Sequence, residues 1–175
     1  MVMVPKVKVN VDGNVVEVNK GKTILQVASS LGIQIPTLCH DPRLEPFSAC
    51  RVCMVEVERG KSSALITSCN TEATDGMVIR TGSEKVLKTR KMVLELILSD
   101  HPKDCLTCDK CGSCKLQDLA YTHGVRESRF FQQPDGGVTN DPNPVIQQDT
   151  SKCILCGRCV RICAEVQQDH AIDFK

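Results

Sequence analysis

Residues 36–58 read "PTLCHDPRLEPFSACRVCMVEVE". Three cysteines, Cys39, Cys50 and Cys53, lie in this stretch, and a fourth, Cys69, follows with fifteen residues between it and Cys53. The end of the stretch changes character. In "RVCMVEVER" the side chains alternate, with Val55 and Val57 on one face and Glu56 and Glu58 on the other, which is the period of a half-buried strand. A cysteine-bearing loop that runs straight into a strand indicates a small sheet built around a ligand-binding loop.

The flanking segments extend this reading. Residues 4–20 alternate as well: Val7, Val9 and Val11 face one way, "DGN" turns the chain, and Val16 and Val18 follow, a β-hairpin with Asp-Gly turn chemistry. Thr23 is placed to cap a helix whose apolar positions Ile24, Leu25, Ala28 and Leu31 recur at helical spacing, with Gly32 at its end. "GMVIRT" reads as a last short strand. Together these make an α+β unit of about eighty residues, an ordinary size for a small domain. Ser83 then caps a second helix with an apolar stripe of Val86, Leu87, Val93, Leu94, Ile97 and Leu98. A shorter helix is expected from Leu116 to about Tyr121. "QQPDGGVTNDPNPV" is rich in Pro, Gly and Asn and reads as a linker or surface loop.

Composition narrows the classes of function. The chain has 175 residues, twelve of them cysteine, with 3% aromatic residues and no Trp. A disulfide framework suits small secreted chains, but "MVMVPKVKVN" lacks the uninterrupted apolar run of a signal peptide. The cysteines also step as Cys-x2-Cys, close enough for their thiolates to share a metal. The formal net charge is +1 with no basic run, so nucleic acid has no electrostatic footprint here. The longest apolar run, "VLELILS", is too short to span a bilayer. The expectation is a reduced, cytoplasmic protein.

The cysteines form three constellations. The first, Cys39-x10-Cys50-x2-Cys53-x15-Cys69, supplies the four thiolates of a [2Fe–2S] centre, although its ten-residue gap departs from the plant-type Cys-x4-Cys-x2-Cys spacing. A zinc site more often shows two paired knuckles, and only one is present. The second lies in "HPKDCLTCDKCGSCKLQ", residues 101–117, which offers five ligands: His101, Cys105, Cys108, Cys111 and Cys114. Spacing alone leaves two quartets open, one of four cysteines and one that includes the histidine. The third, Cys153-x2-Cys156-x2-Cys159-x3-Cys163, matches the bacterial ferredoxin run, in which three cysteines bind one [4Fe–4S] cluster and the fourth serves another. Ala164 stands where that run usually has Pro. No partner run follows, so a fourth ligand for Cys153, Cys156 and Cys159 is missing, and so is the cluster for Cys163. The expectation is that the chain is part of a longer one.

In this order the three constellations resemble the N-terminal iron–sulfur segment shared by the large peripheral iron–sulfur subunit of respiratory complex I, the [FeFe]-hydrogenases and the NAD(P)-linked formate dehydrogenases. The resemblance covers essentially the whole chain. It implies that Cys39, Cys50, Cys53 and Cys69 hold a [2Fe–2S] cluster, and that family's loop has the long first gap. The family's second motif, His-x3-Cys-x2-Cys-x5-Cys followed by Leu-Gln, falls on His101, Cys105, Cys108 and Cys114 with Leu116 and Gln117. These residues are then the ligands of a [4Fe–4S] cluster, and Cys111 is an additional thiol. "KCILCGRCVRICAEVQ" is most similar to the hydrogenase and formate dehydrogenase versions, since complex I proteins commonly lack a cysteine at the position of Cys163. The fold implied is a β-grasp [2Fe–2S] ferredoxin-like domain over 1–80 and a small helical [4Fe–4S] domain with one His and three Cys ligands over 81–125. A linker over 126–146 and a partial bacterial-ferredoxin-like domain over 147–175 complete it.

No Gly-rich nucleotide fingerprint, phosphate loop or catalytic dyad appears, so the chain is expected to carry no substrate-converting site of its own. The function implied is relay of single electrons between a flavin/NAD(P)-linked partner and a catalytic site in a multi-subunit hydrogenase or formate dehydrogenase, with electron bifurcation as one form. The expected partners are flavin/NAD(P)-binding subunits and other iron–sulfur subunits. The alternative is a zinc-stabilised interaction module without a redox role.

Overall fold

The computed structural model describes residues 5–60, 62–130, 145 and 149–174. The chain divides into two compact units, one made of residues 1–90 and 157–175, the other of residues 91–156.

The first unit is built on a five-stranded sheet. Its strands are β1 (Lys6–Val11), β2 (Asn14–Asn19), β3 (Met54–Arg59), β4 (Ser62–Thr67) and β5 (Val78–Arg80), in the order β2-β1-β5-β3-β4. β1 and β2 pair antiparallel with Val11 opposite Asn14, so only Asp12 and Gly13 turn the chain. Both have positive φ, 49° and 89°, which a two-residue hairpin of type I′ demands. The Asp12 carboxylate accepts the Thr81 N–H at 2.8 Å and the Thr81 hydroxyl at 2.5 Å, tying the hairpin to the end of β5. β5 runs parallel to β1 and antiparallel to β3, so its three residues join the two halves of the sheet.

The apolar faces meet α1 (Ile24–Ser30), and one cluster gathers Val7, Val9, Val11, Val18, Ile24, Val27, Ala28, Val55, Val57 and Ile79. Each such aliphatic side chain contributes about 1.5–3 kcal/mol when fully removed from water. α1 opens on a reciprocal cap: Thr23 Oγ1 accepts the Gln26 N–H at 3.3 Å, and Gln26 Oε1 accepts the Thr23 N–H at 3.0 Å.

β4 has no counterpart in the sequence reading, because "SSALIT" lacks clean alternation and is held in place by its ladder with β3. The terminal strand is Val78–Arg80, shorter than "GMVIRT" suggests. α2 (Glu84–Ser99) forms as expected, but its buried row differs from the expected stripe. Leu87 is exposed, whereas Arg90 is buried. Val86, Arg90 and Leu94 succeed one another at i, i+4 and i+8 and so share a face, while Leu87 is turned by about 100° from Val86.

Within the second unit, α3 (Lys115–Thr122) follows the second cysteine motif and buries Leu116 and Ala120. The Glu95 carboxylate is buried and receives both Nε and Nη2 of Arg129 at 2.8 Å. Most of the expected linker at 126–146 lies outside the described residues. A 3-10 turn, Thr150–Lys152, leads into the third motif. After Gly157 the chain forms α4 (Arg158–Arg161), which continues as a π-helical turn over Ile162–Gln167. Among the described residues no helix is long and apolar enough to cross a membrane.

Candidate iron–sulfur centres

The β3/β4 ladder builds half of the first constellation. Met54 pairs with Thr67, so Cys53, just before β3, and Cys69, just after β4, come together at one end of the hairpin. Ser68 reinforces that end: its N–H and hydroxyl both reach the Cys53 carbonyl, at 3.2 and 2.9 Å. The Cys53 and Cys69 sulfurs are 3.4 Å apart, and Ser48 Oγ is 3.4 Å from Cys69 Sγ. Cys39 and Cys50 make the second pair, each acting most strongly on the other. Ser48 and Arg51, flanking Cys50, both take φ of 57°. Left-handed backbone at two non-glycine residues costs roughly 1–3 kcal/mol each and is tolerated where a loop must aim its groups at a site. Cys39, Cys53 and Cys69 are buried and Cys50 is half-buried.

Each pair is electrostatically polarised. The Cys39 thiol, hydrogen-bonded to Cys50, brings Cys50 down to about 5, while that contact and burial push Cys39 up. Likewise Cys53 brings Cys69 down to about 6, with Ser48 helping, and Cys53 itself is pushed up. This asymmetry favours the thiolate at one sulfur of each pair. Four thiols in two pairs fit a two-iron centre, which needs two sulfur ligands per iron. Among the described residues no three His, Cys, Asp or Glu side chains close into a cage for a single ion. Pairs, not one compact quartet, are what the loop provides.

The second constellation lies wholly in the second unit. His101 follows α2, and its Nδ1 is 3.0 Å from the Pro102 carbonyl oxygen. A carbonyl only accepts, so it is Nδ1 that donates here, and Nε2 is the ring nitrogen left to meet a metal. Cys105, Cys108 and Cys114 are half-buried, whereas Cys111 is exposed. Gln117 accounts for the loop around Cys111: its Oε1 accepts the Gly112 N–H at 3.1 Å and its Nε2 points to Cys111 Sγ at 4.0 Å. The Lys152 ammonium, 3.7 Å from both Asp104 and Asp149, is pushed up mainly by Asp104, with Cys108 adding to it.

In the third constellation, Cys153 and Cys156 fall in the second unit and Cys159 and Cys163 in the first. Leu155 N–H points to Cys153 Sγ at 3.4 Å, and Leu155 takes φ of 51°. Cys163 is buried, and its sulfur accepts the Ala171 N–H at 3.2 Å.

The segment after Gly157 is pinned to the long gap of the first loop by contacts that no sequence motif marks. Arg161 Nη2 donates to the Glu45 carbonyl at 2.5 Å, its Nε and Nη2 meet the Glu165 carboxylate at 2.8 and 2.7 Å, and its guanidinium lies 4.8 Å from the Phe47 ring centroid. Glu165 in turn accepts the Glu45 N–H at 3.1 Å, and Phe47 stacks with Phe174 at 6.3 Å. Only the composition of "RLEPF", with its charges beside an aromatic ring, hints at such a clamp.

Three family matches fall along the chain, covering about four fifths of it. Residues 5–84 match the 2Fe-2S iron-sulfur cluster binding domain, residues 90–129 the NADH-ubiquinone oxidoreductase-G iron-sulfur binding region, and residues 146–163 the 4Fe-4S binding domain. The chain is 43% identical over 162 residues to a subunit of the NADH-quinone oxidoreductase of Rhizobium meliloti, covering 91% of this chain and 19% of that protein. It is 47% identical over 169 residues to the NADP-reducing hydrogenase subunit HndD of Solidesulfovibrio fructosivorans, covering 91% of this chain and 28% of that one. Among solved structures, an NAD+-reducing [NiFe]-hydrogenase in its H2-reduced state superposes with a TM-score of 0.81 at 30% identity. That match covers 93% of this chain and 68% of the other. The chain thus spans only a fifth to about a quarter of the two curated relatives' length. These matches assign a 2Fe-2S centre and 4Fe-4S centres, and they do not favour a zinc-stabilised module.

Proposed function

Because the chain belongs to the iron–sulfur family that unites these NADH-quinone oxidoreductase and NAD(P)-reducing hydrogenase proteins, we propose that it is the electron-relay segment of a multi-subunit NAD(P)-linked oxidoreductase. In this reading Cys39, Cys50, Cys53 and Cys69 hold the [2Fe–2S] centre, and His101, Cys105, Cys108 and Cys114 hold a [4Fe–4S] centre, with Cys111 the spare. Cys153, Cys156 and Cys159 serve a further [4Fe–4S] centre, and Cys163 serves the second cluster of a ferredoxin-type pair. The five-stranded sheet with α1 is then a β-grasp ferredoxin-like domain over 1–80. Residues 81–125 make the His-ligated helical domain, 126–146 link it onward, and 147–175 begin a ferredoxin-like domain.

The pairing of the four thiols, Cys39 with Cys50 and Cys53 with Cys69, carries the proposal most directly. When bound, such clusters supply one-electron storage and release without hydride chemistry. The chain's own residues do the rest. The Ser48 hydroxyl and the loop amides offer hydrogen bonds to sulfur. Burial of Cys39, Cys53 and Cys69 keeps water from the ligands. The Pro102 carbonyl holds His101 with Nε2 free. A neutral imidazole in place of a thiolate removes one negative charge, which raises the potential as histidine ligation does in Rieske centres.

The partners in this reading are a flavin/NAD(P)-binding subunit and other iron–sulfur subunits. The parent is a hydrogenase or a quinone-linked enzyme like the relatives above. A formate dehydrogenase parent rests on the third motif's resemblance alone. Twelve unbridged cysteines support a reducing, cytoplasmic setting. Anaerobic mixing of the purified chain with NAD(P)H, with and without a flavoprotein mediator, tests the relay. The visible cluster absorption should bleach only when the mediator is present. Bleaching by NAD(P)H alone would reveal a substrate site, and no bleaching by any one-electron donor would refute the relay. For the ligand set, Cys111→Ser should keep the [4Fe–4S] signal and His101→Ala should alter it. The reverse outcome would establish the all-cysteine site.

A further inference from the structure

We propose that Arg90 is a fixed, buried cation that raises the reduction potential of the centre held by Cys39, Cys50, Cys53 and Cys69. This rests on the ligand set proposed above. Arg90 occupies the middle of the inward row of α2, between Val86 and Leu94, and is only 5% exposed. An aliphatic side chain would continue that row without cost, whereas a guanidinium there must be stripped of most of its water.

Its hydrogen bonding does not repay that loss. Nη2 donates to the Met54 carbonyl at 2.8 Å, and Nε is buried with no partner among the described residues. A donor to one carbonyl could be a neutral amide. A buried charge with an idle N–H instead calls for a countercharge nearby. Met54 is the residue after Cys53, so the one hydrogen bond that Arg90 makes among the described residues fixes it beside a proposed cluster ligand. Burial, the strongest influence on it, pulls its pKa down, and Cys53 and Asp12 work against that by favouring the charged form. Arginine keeps its proton in such surroundings. Asp12 faces partly toward solvent and is already engaged by Thr81. Its field is therefore screened, and the buried sulfur side is where the cation acts.

The chemistry at stake is simple. A [2Fe–2S] centre with four thiolates carries roughly −2 when oxidised, and one electron makes it roughly −3, with no bond made or broken. A positive charge held in a poorly screened interior favours the more negative form. Removing it should therefore lower the potential, and replacing it with another cation should not.

The test compares Arg90→Gln, which keeps an N–H donor for Met54, with Arg90→Lys, which keeps the charge. Each purified chain, carrying its clusters, is titrated potentiometrically and the [2Fe–2S] EPR signal is followed, with iron and acid-labile sulfide measured on the same samples. The expected result for R90Q is at least a tenfold loss in the one-electron reduction equilibrium, a downward shift of about 59 mV or more, with R90K close to wild type. A [2Fe–2S] signal kept by R90K and lost by R90Q would be the same dependence on charge. An R90Q potential equal to wild type, an equal drop in both variants, or equal loss of the cluster from both would overturn the proposal. Wild-type chain without iron and sulfide would instead refute the ligand set on which it rests.

Discussion

Gly157 stands between Cys156 and Cys159, and its replacement by alanine probes how tightly the third motif is seated on the first loop. Its φ is +68°, a conformation that costs a residue with a Cβ about 1–2 kcal/mol. A Cβ built there would also lie 3.0 Å from Phe174 Cζ and 3.1 Å from Phe47 Cε1. Both distances are inside normal contact, so the stacked rings would have to move, and because both are exposed this should cost about 1 kcal/mol, the low end for overpacking. Together the two effects predict a loss of about 2–3 kcal/mol for Gly157→Ala. Urea unfolding under anaerobic conditions measures it, as a lower midpoint at unchanged slope. The same substitution in a Phe174→Ala background separates the contributions. There the nearest contact is gone, so the loss should shrink by about 1 kcal/mol toward the backbone cost alone. A Gly157→Ala chain within about 0.5 kcal/mol of wild type, the range of an ordinary surface change, would refute the reasoning. So would an undiminished cost in the Phe174→Ala background.

Two further substitutions test local parts of the account. Thr23→Ala removes the hydroxyl that accepts the Gln26 N–H and should cost about 1 kcal/mol in the urea midpoint, with Thr23→Ser recovering most of it. Arg43, through its side-chain hydrogen bonds, holds the Asp41 carboxyl well below the usual carboxylate range. A carboxyl depressed in the folded state stabilises it above the ordinary value of about 4 and loses that contribution as the pH falls further. In Arg43→Ala, an NMR titration of Asp41 should return toward about 3.9, and an unchanged titration would count against the pair.

Much of the sheet was legible because its local chemistry agrees with its tertiary role. Asp12-Gly13 states the hairpin, Thr23 with Gln26 states the helix start, and Val55 and Val57 declare a buried face. The three ligand constellations were legible as spacing, and only resemblance to a family favoured the quartet that includes His101. Features that depend on distant residues were not legible. β4 is held by β3 and not by its own pattern. Arg90 looks like one more solvated charge until the row from Val86 to Leu94 is seen to face inward. The Arg161 clamp joins residues 116 apart in sequence, and no local signal encodes that contact. The pairing of Cys53 with Cys69 likewise follows from the register of Met54 with Thr67, which spacing does not specify.

The central claim is that these cysteines hold iron–sulfur centres. Metal and acid-labile sulfide analysis of the anaerobically purified chain addresses it most directly. The account predicts iron accompanied by comparable acid-labile sulfide, with a [2Fe–2S] EPR signal on reduction. Zinc bound without sulfide would contradict it.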